Sequence, residues 1–161
     1  MSENGTPQIS DLEREFINEQ KGEGSLSIYV ANGDHSDYVG YDINPEDVEA
    51  LYFEGIGVPR WETLQADTHE QQTALYWERF NERMGSYPLI GRMRDTDERV
   101  TYSAAEIPQL IEECKSIAGS TSDAKAQRAV QKVSLAATRA AEKQSGMDLK
   151  PSSHPDFAGG F

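Results

Sequence analysis

The fold is decided by the stretch SLSIYVANGDHSDYVGYDI, which occupies residues 25–43. Apolar and polar side chains alternate on both sides of its centre, and the apolar positions are Leu26, Ile28, Val30, Val39, Tyr41 and Ile43. Alternation of this kind predicts half-buried β-strands. Asn32-Gly33 lies between them and suits the positive φ angles of a tight hairpin turn. Because polar residues continue to position 36, we expect a loop longer than two residues, and the turn type stays open.

The other face of this hairpin carries a different chemistry. Side-chain parity places Tyr29, Tyr38 and Asp42 opposite the aliphatic residues. We expect Asp34 and Asp37, which flank the turn, to surround the two tyrosines. Tyrosine is enriched at protein interfaces, and carboxylates steer basic partners and fix their register. The sequence therefore predicts a partner-binding surface on this face.

A helix is predicted directly after the hairpin. Asn44 can cap it, Pro45 fits its first position, and the acids that follow favour the positive end of the helix dipole. Gly55 and Gly57 are predicted to end it. Its outward side is expected to extend the partner-binding surface with Glu46, Glu49 and Phe53.

The remaining elements are mostly helical. Apolar periodicity predicts helices near residues 9–17, 68–84, 103–119 and 120–144. The third of these is expected to begin late, because Pro108 lacks a backbone donor. A third strand is predicted near 99–102. We therefore expect an α+β fold in which a small antiparallel sheet is packed by about five helices.

The domain organisation follows from composition. Residues 1–144 are predicted to form a single globular domain, and residues 145–161, which are rich in Pro and Gly, are predicted to form a flexible tail. The last helix has a narrow, alanine-rich apolar stripe made of Ala126, Val130, Val133, Ala137 and Ala140. A stripe of small residues buries little area, so this helix is expected to lean on a neighbour or a partner.

The net charge of −13 lies entirely in the first seventy residues. Residues 1–70 contain 16 acids and three bases (Arg14, Lys21 and Arg60), whereas residues 71–161 contain 12 of each. Such a field repels nucleic acids and anionic lipids and attracts basic surfaces. We therefore expect a basic protein partner and neither a nucleic acid nor a membrane.

The composition also bears on the compartment. The single cysteine, Cys114, excludes an internal disulfide and lies in an apolar helical stripe, which predicts a core position. No stretch approaches the ~20 apolar residues of a membrane-spanning helix. The first residues lack the basic and apolar regions of a signal peptide. A cytoplasmic protein is expected.

The sequence contains no recognisable catalytic, metal or cofactor motif. Residues 32–43 do not match a calcium loop, because Asp37 occupies the sixth position, which requires Gly, and Ile43 the twelfth, which requires Glu. Three scattered histidines and one cysteine do not form a zinc motif. Gly55-Ile56-Gly57 lacks the further Gly and the Lys of a phosphate loop. We predict a non-enzymatic protein without a cofactor.

Two interpretations of the tyrosine- and acid-rich surface stay open: it binds a partner, or helices of the same chain cover it. The leading hypothesis is a bacterial cytoplasmic inhibitor of the immunity or antitoxin type, which caps a basic partner such as a toxin domain. One alternative is an assembly subunit that docks through its last helix and tail. Another is an enzyme whose site carries no familiar motif.

Overall fold

The computed structural model describes residues 11–19, 24–94 and 98–151. These residues form the α-helices α1 (Asp11–Asn18), α2 (Pro45–Ala50), α3 (His69–Met84), α4 (Ile107–Ser120) and α5 (Ala124–Glu142). They also form the strands β1 (Leu26–Asn32), β2 (His35–Ile43), β3 (Val100–Tyr102) and β4 (Met147–Pro151). A π-helix (Leu51–Ile56) continues α2, and 3-10 turns lie at Trp61–Thr63, Ile90–Arg94 and Ala104–Glu106. The predicted α+β class, with a small antiparallel sheet packed by helices, is confirmed.

The predicted hairpin is the edge pair of a four-stranded antiparallel sheet with the order β2-β1-β4-β3. Asn32 pairs with His35, so only Gly33 and Asp34 form the loop. The expectation of a longer loop was wrong, because the polar residues continue the ladder. Gly33 has a φ of 65°, which suits a tight hairpin turn.

The predicted flexible tail was wrong for residues 147–151. These residues form β4, which pairs with both β1 and β3 in the interior of the sheet. The alternation that makes this possible puts Met147 and Leu149 in the core, while Asp148 and Lys150 face the other side. Residues 152–161, and the predicted start of the first helix at Ile9, lie outside the described residues.

Helix α5 covers the inner face of the sheet and packs against α4 and α2. Its small side chains are buried against these neighbours, and they are Ala126, Ala129, Ala136, Ala137 and Ala140. Small residues let the backbones approach closely, so the helix leans on its own chain, as its narrow stripe indicated. Cys114 in α4 is buried in the same core, as predicted.

Within this layer, Lys132 of α5 is fully buried and its ammonium donates to three oxygen atoms. The acceptors are Glu19 Oε1 at 2.6 Å, Asp47 Oδ2 at 2.7 Å and the Asp42 main-chain carbonyl at 2.8 Å. A buried ammonium requires such compensation, because burial removes its water. This contact joins α5 to the end of α1, the end of β2 and the start of α2.

A second, partly buried ion pair holds α1 on α5. Arg139 lies 2.9 Å from the Glu13 carboxylate, which also accepts a hydrogen bond from the Tyr41 hydroxyl at 3.2 Å. Burial and the adjacent Glu13 charge raise the pKa of Tyr41, so its hydroxyl remains a donor. The rings of Phe16 and Tyr41 pack together, with 5.5 Å between their centres. Charge pairing and apolar packing together thus hold α1 against α5 and β2.

None of the helices in the described part of the chain is long and apolar enough to cross a bilayer.

Candidate functional site

The structure divides the eight predicted partner-binding residues into two groups. The hairpin contributes Tyr29, Asp34, Asp37, Tyr38 and Asp42, and the segment from α2 to the π-helix contributes Glu46, Glu49 and Phe53. The two groups lie on consecutive elements of the chain, since β2 ends at Ile43 and α2 begins at Pro45.

In the hairpin group, only three residues meet. The rings of Tyr29 and Tyr38 lie 5.4 Å apart, and the Tyr38 hydroxyl donates to Asp42 Oδ1 at 2.6 Å. Desolvation, together with the hydrogen bond to Asp42, raises the pKa of Tyr38. Asp42 is only 3% exposed, so its carboxylate serves the hairpin and is not offered to a partner.

The turn acids do not surround the tyrosines. Asp37 pairs with Val30 in the ladder, which places its side chain on the opposite face from Tyr38. There it accepts a hydrogen bond from the Asn32 side chain at 2.8 Å. Asp34 is exposed in the turn itself. The expected ring of acids around the tyrosines is therefore wrong.

In the second group, Glu49 and Phe53 line a surface cleft that the sequence did not reveal. Glu46 is exposed nearby and lies 3.6 Å from Lys125 of α5. The cleft has a volume of about 520 Å³. Its lining comes from the α2 segment, the turn after it and α3, and consists of Glu49, Phe53, Arg60, Trp61, Glu62, Tyr76 and Trp77.

Aromatic rings form the α3 side of this cleft. The centre of the Tyr76 ring lies 5.8 Å from that of Trp61 and 5.2 Å from that of Trp77. The ring planes of Tyr76 and Trp77 meet at 82°. Trp77 is 50% exposed, so half of this large apolar side chain is open to solvent. The Gln72 side chain donates to the Trp61 carbonyl at 2.9 Å, so the turn is fastened to α3. This hydrogen bond holds the backbone that carries Trp61 against α3.

The cleft already accommodates one cation of the chain itself. The Arg60 guanidinium lies 4.0 Å from the centre of the Phe53 ring and 3.5 Å from the Glu54 carboxylate. This arrangement combines a cation–π contact with an ion pair. The two acids of the lining, Glu49 and Glu62, are exposed and form no ion pair among the described residues.

The π-helix contributes Phe53 to the cleft and is fastened at its end. The amides of Gly57 and Val58 both donate to the Tyr52 carbonyl, and Gly57 then leaves the helix with a φ of 85°. Arg83 of α3 closes this end, because its guanidinium donates twice to the Ile56 carbonyl, at 3.0 and 2.7 Å. Such short π-helical segments occur frequently at functional sites.

Sequence reasoning did not find the aromatic part of the site. The helix predicted near residues 68–84 contains Tyr76 and Trp77, but neither these residues nor Trp61 was given a role in binding. Two tryptophans in a polar region of the chain were the available signal. Their proximity depends on how α3 folds back on the π-helix, which periodicity does not report.

No protein-family model, no curated protein sequence and no solved structure matches this chain. We therefore infer its function from these residues alone.

Proposed function

We propose that the chain is a non-enzymatic, acidic binding module that captures a basic protein partner. The observation that supports this best is the cleft, where two exposed carboxylates that form no ion pair among the described residues lie beside the half-exposed Trp77 ring. Aromatic side chains are the usual anchors of protein interfaces, and the charges around them accelerate association and fix register. An acidic module of this kind complements a basic surface.

The distribution of ion pairs explains why the acidic field persists in the fold. Three of the four bases of α5 are used within the fold, where Arg128, Lys132 and Arg139 pair with Glu13, Glu19 and Asp47. The exposed acids for which no ion pair is found among the described residues are Glu15, Asp34, Glu49, Glu62, Asp67, Glu70, Glu78, Glu82 and Glu142. Four of these nine belong to residues 49–70, the segment that contributes Glu49 and Glu62 to the cleft. This segment therefore carries a large share of the unneutralised charge.

The biology that we propose is a bacterial cytoplasmic inhibitor of the immunity or antitoxin type. A toxin that acts on a polyanion presents a basic surface, which this module would cover. The support is the charge, the size and the cleft, and the step from these to inhibition is an analogy. The assembly alternative has less support, since the α5 stripe and residues 147–151 are buried inside the fold.

The test begins with affinity capture from the source organism, followed by association kinetics with the captured protein. We expect the association rate to fall steeply with added salt. The E46K/E49K variant should slow association at least ~10-fold at low salt, because it reverses charge beside the cleft. Asp42 is left unchanged in this design because it is buried.

The matched control is E112K/E142K, which reverses two exposed charges on α4 and α5. It changes the net charge equally but lies away from the cleft, so we expect a much smaller effect. The proposal fails if the association rate is insensitive to salt, or if both double variants slow association equally. Stoichiometric loss of the partner's activity would support the inhibitor role, and full activity in the complex would refute it.

A further inference from the structure

We propose that the cleft receives an arginine side chain of the basic partner. This inference rests on the proposed function and adds to it the site of contact and the chemistry of the group bound. The occupant follows from three properties of the cleft: its rings, its unpaired acids and the way in which it already holds Arg60.

The rings favour a planar cation. Tyr76 and Trp77 meet at 82°, so their faces point in two different directions, and Trp77 is half exposed. A guanidinium stacks on aromatic faces and retains its in-plane donors, whereas an ammonium is a compact, strongly hydrated charge. The exposed indole therefore suits arginine better than lysine.

The acids supply the in-plane partners. Glu49 of α2 and Glu62 of the 3-10 turn both line the cleft, and neither forms an ion pair within the described residues. Arg60 does not compensate them, because its guanidinium is held by Glu54 and by the Phe53 ring. Carboxylates accept bidentate hydrogen bonds from guanidinium groups, which adds geometric selectivity to charge attraction.

The chain's own arginine shows that this chemistry fits the local geometry. Arg60 combines a ring face at 4.0 Å with a carboxylate at 3.5 Å. A second guanidinium on Trp77, with Glu49 or Glu62 as its acceptor, would repeat the same combination in the open part of the cleft. The volume of about 520 Å³ leaves room for a long side chain and its neighbours.

The experiment uses the fact that Trp61 and Trp77 are the chain's two tryptophans and that both line the cleft. Tryptophan fluorescence therefore reports on this site. We would titrate the full chain with hexa-arginine, hexa-lysine and a neutral Gly/Ser hexapeptide. We expect a saturable emission change with hexa-arginine, a Kd for hexa-lysine at least ~5-fold weaker, and no change with the neutral peptide.

The variant E49Q/E62Q should weaken hexa-arginine binding at least ~10-fold, since it removes both acceptors. The control E112Q/E142Q removes the same number of charges from exposed positions on α4 and α5, and should stay within ~2-fold of the wild type. All four residues are exposed. Unchanged thermal unfolding would show that each variant keeps its fold.

The inference is overturned if the two glutamine variants bind hexa-arginine equally, or if hexa-lysine binds as tightly as hexa-arginine. A further measurement separates this failure from that of the proposed function. If the captured partner binds with strong salt dependence but its affinity is unchanged by E49Q/E62Q, the module binds a basic protein and the cleft does not bind an arginine of that protein. If partner binding does not depend on salt, the proposed function itself fails.

Discussion

The ammonium of Lys132 lies 2.7 Å from the carboxylate of Asp47, at a position where the lysine side chain has no solvent exposure. The same ammonium contacts Glu19, so one cation of α5 binds two acids of residues 1–70, the part of the chain that carries the net negative charge. Buried pairs of this kind add little net stability compared with apolar residues, but losing one partner strands the other charge. The acids of residues 1–70 are thus partly neutralised by a base of α5.

Replacing Lys132 by methionine should lower the free energy of unfolding by about 3–5 kcal/mol, because Asp47 then stays buried without its cation. Urea denaturation would measure this. The double variant K132M/D47N should recover part of the loss, since it also removes the stranded charge. The exposed pair of Lys125 and Glu46 provides the control: K125M should cost less than about 1 kcal/mol. Equal effects of K132M and K125M would contradict the network.

The pH dependence of stability follows from Glu19. Burial alone would raise its pKa, but hydrogen bonds from Lys132 and Arg128 outweigh burial and lower the pKa below its ordinary value of 4.5. The folded state therefore binds this proton less readily than the unfolded state. The stabilisation is present above pH 4.5 and is lost as the pH falls through the lowered folded-state pKa.

Thermal unfolding between neutral pH and about pH 3 would test this, with E19Q as the comparison. The melting temperature of the wild type should fall more steeply below pH 4.5 than that of E19Q, which has no proton to gain at this position. Parallel curves for the two proteins would show that Glu19 is not involved.

Glu113 and Glu112 are adjacent in α4 but should respond very differently to alanine substitution. The Glu113 carboxylate is buried and accepts the amides of Leu89 and Ile90 at 3.1 and 3.0 Å. Removing it leaves two buried donors unsatisfied, so E113A should destabilise by about 2–3 kcal/mol. Glu112 is exposed, and E112A should stay within about 0.5 kcal/mol of the wild type. Chemical denaturation of both variants would measure these losses of unfolding free energy, and similar losses would contradict the role assigned to the Glu113 carboxylate.

Two glycines should respond in opposite directions to alanine. A Cβ atom would meet nothing within 4 Å at either Gly33 or Gly119, so crowding does not distinguish them. Gly33 has a φ of 65°, where alanine is strained by about 1–2 kcal/mol. Gly119 lies in α4 without a positive φ, so G119A should stabilise by about 0.4–1 kcal/mol. Melting temperatures would show the opposite signs, and a shift in the same direction for both would contradict the turn geometry.

Cys114 should be inert in the folded protein. Burial, with a smaller contribution from the Glu113 charge, raises the pKa of its thiol to about 12. At pH 8 only about one thiol in ten thousand is then ionised, and the thiolate is the reactive form. A thiol-alkylating reagent should therefore modify Cys114 only at the rate of unfolding, and rapid labelling without denaturant would contradict its placement. Labelling in urea gives the control for reagent activity.

The sequence predicted the elements whose signals are local. Alternating side chains defined the hairpin, and Asn44-Pro45 and Thr68 marked helix starts that the structure confirms. The strand β4 was missed because five residues followed by Pro and Gly give a weak local pattern, and its stability comes from pairing with β1 and β3. The structure explains the glycine just before β4: a Cβ atom at Gly146 would come 2.2 Å from the Tyr102 carbonyl oxygen.

The candidate site was predicted in part for similar reasons. Glu49 and Phe53 were selected from charge and helical spacing, and both line the cleft. Asp37 was assigned to the surface by proximity in sequence and Asp42 by side-chain parity, but register and burial give them other roles. Trp77 was missed because a helical stripe does not show which aromatic residues the neighbouring elements leave uncovered.

The position of β4 has a consequence for the order of events on the ribosome. The hairpin can pair once residue 43 has emerged, whereas β3 must wait for residues 147–151, its neighbour in the sheet. Helix α5, which covers the hairpin's apolar face, is also translated late. For most of translation the nascent chain therefore presents an uncovered apolar surface, and its core can close only after nearly all of the described residues have been made.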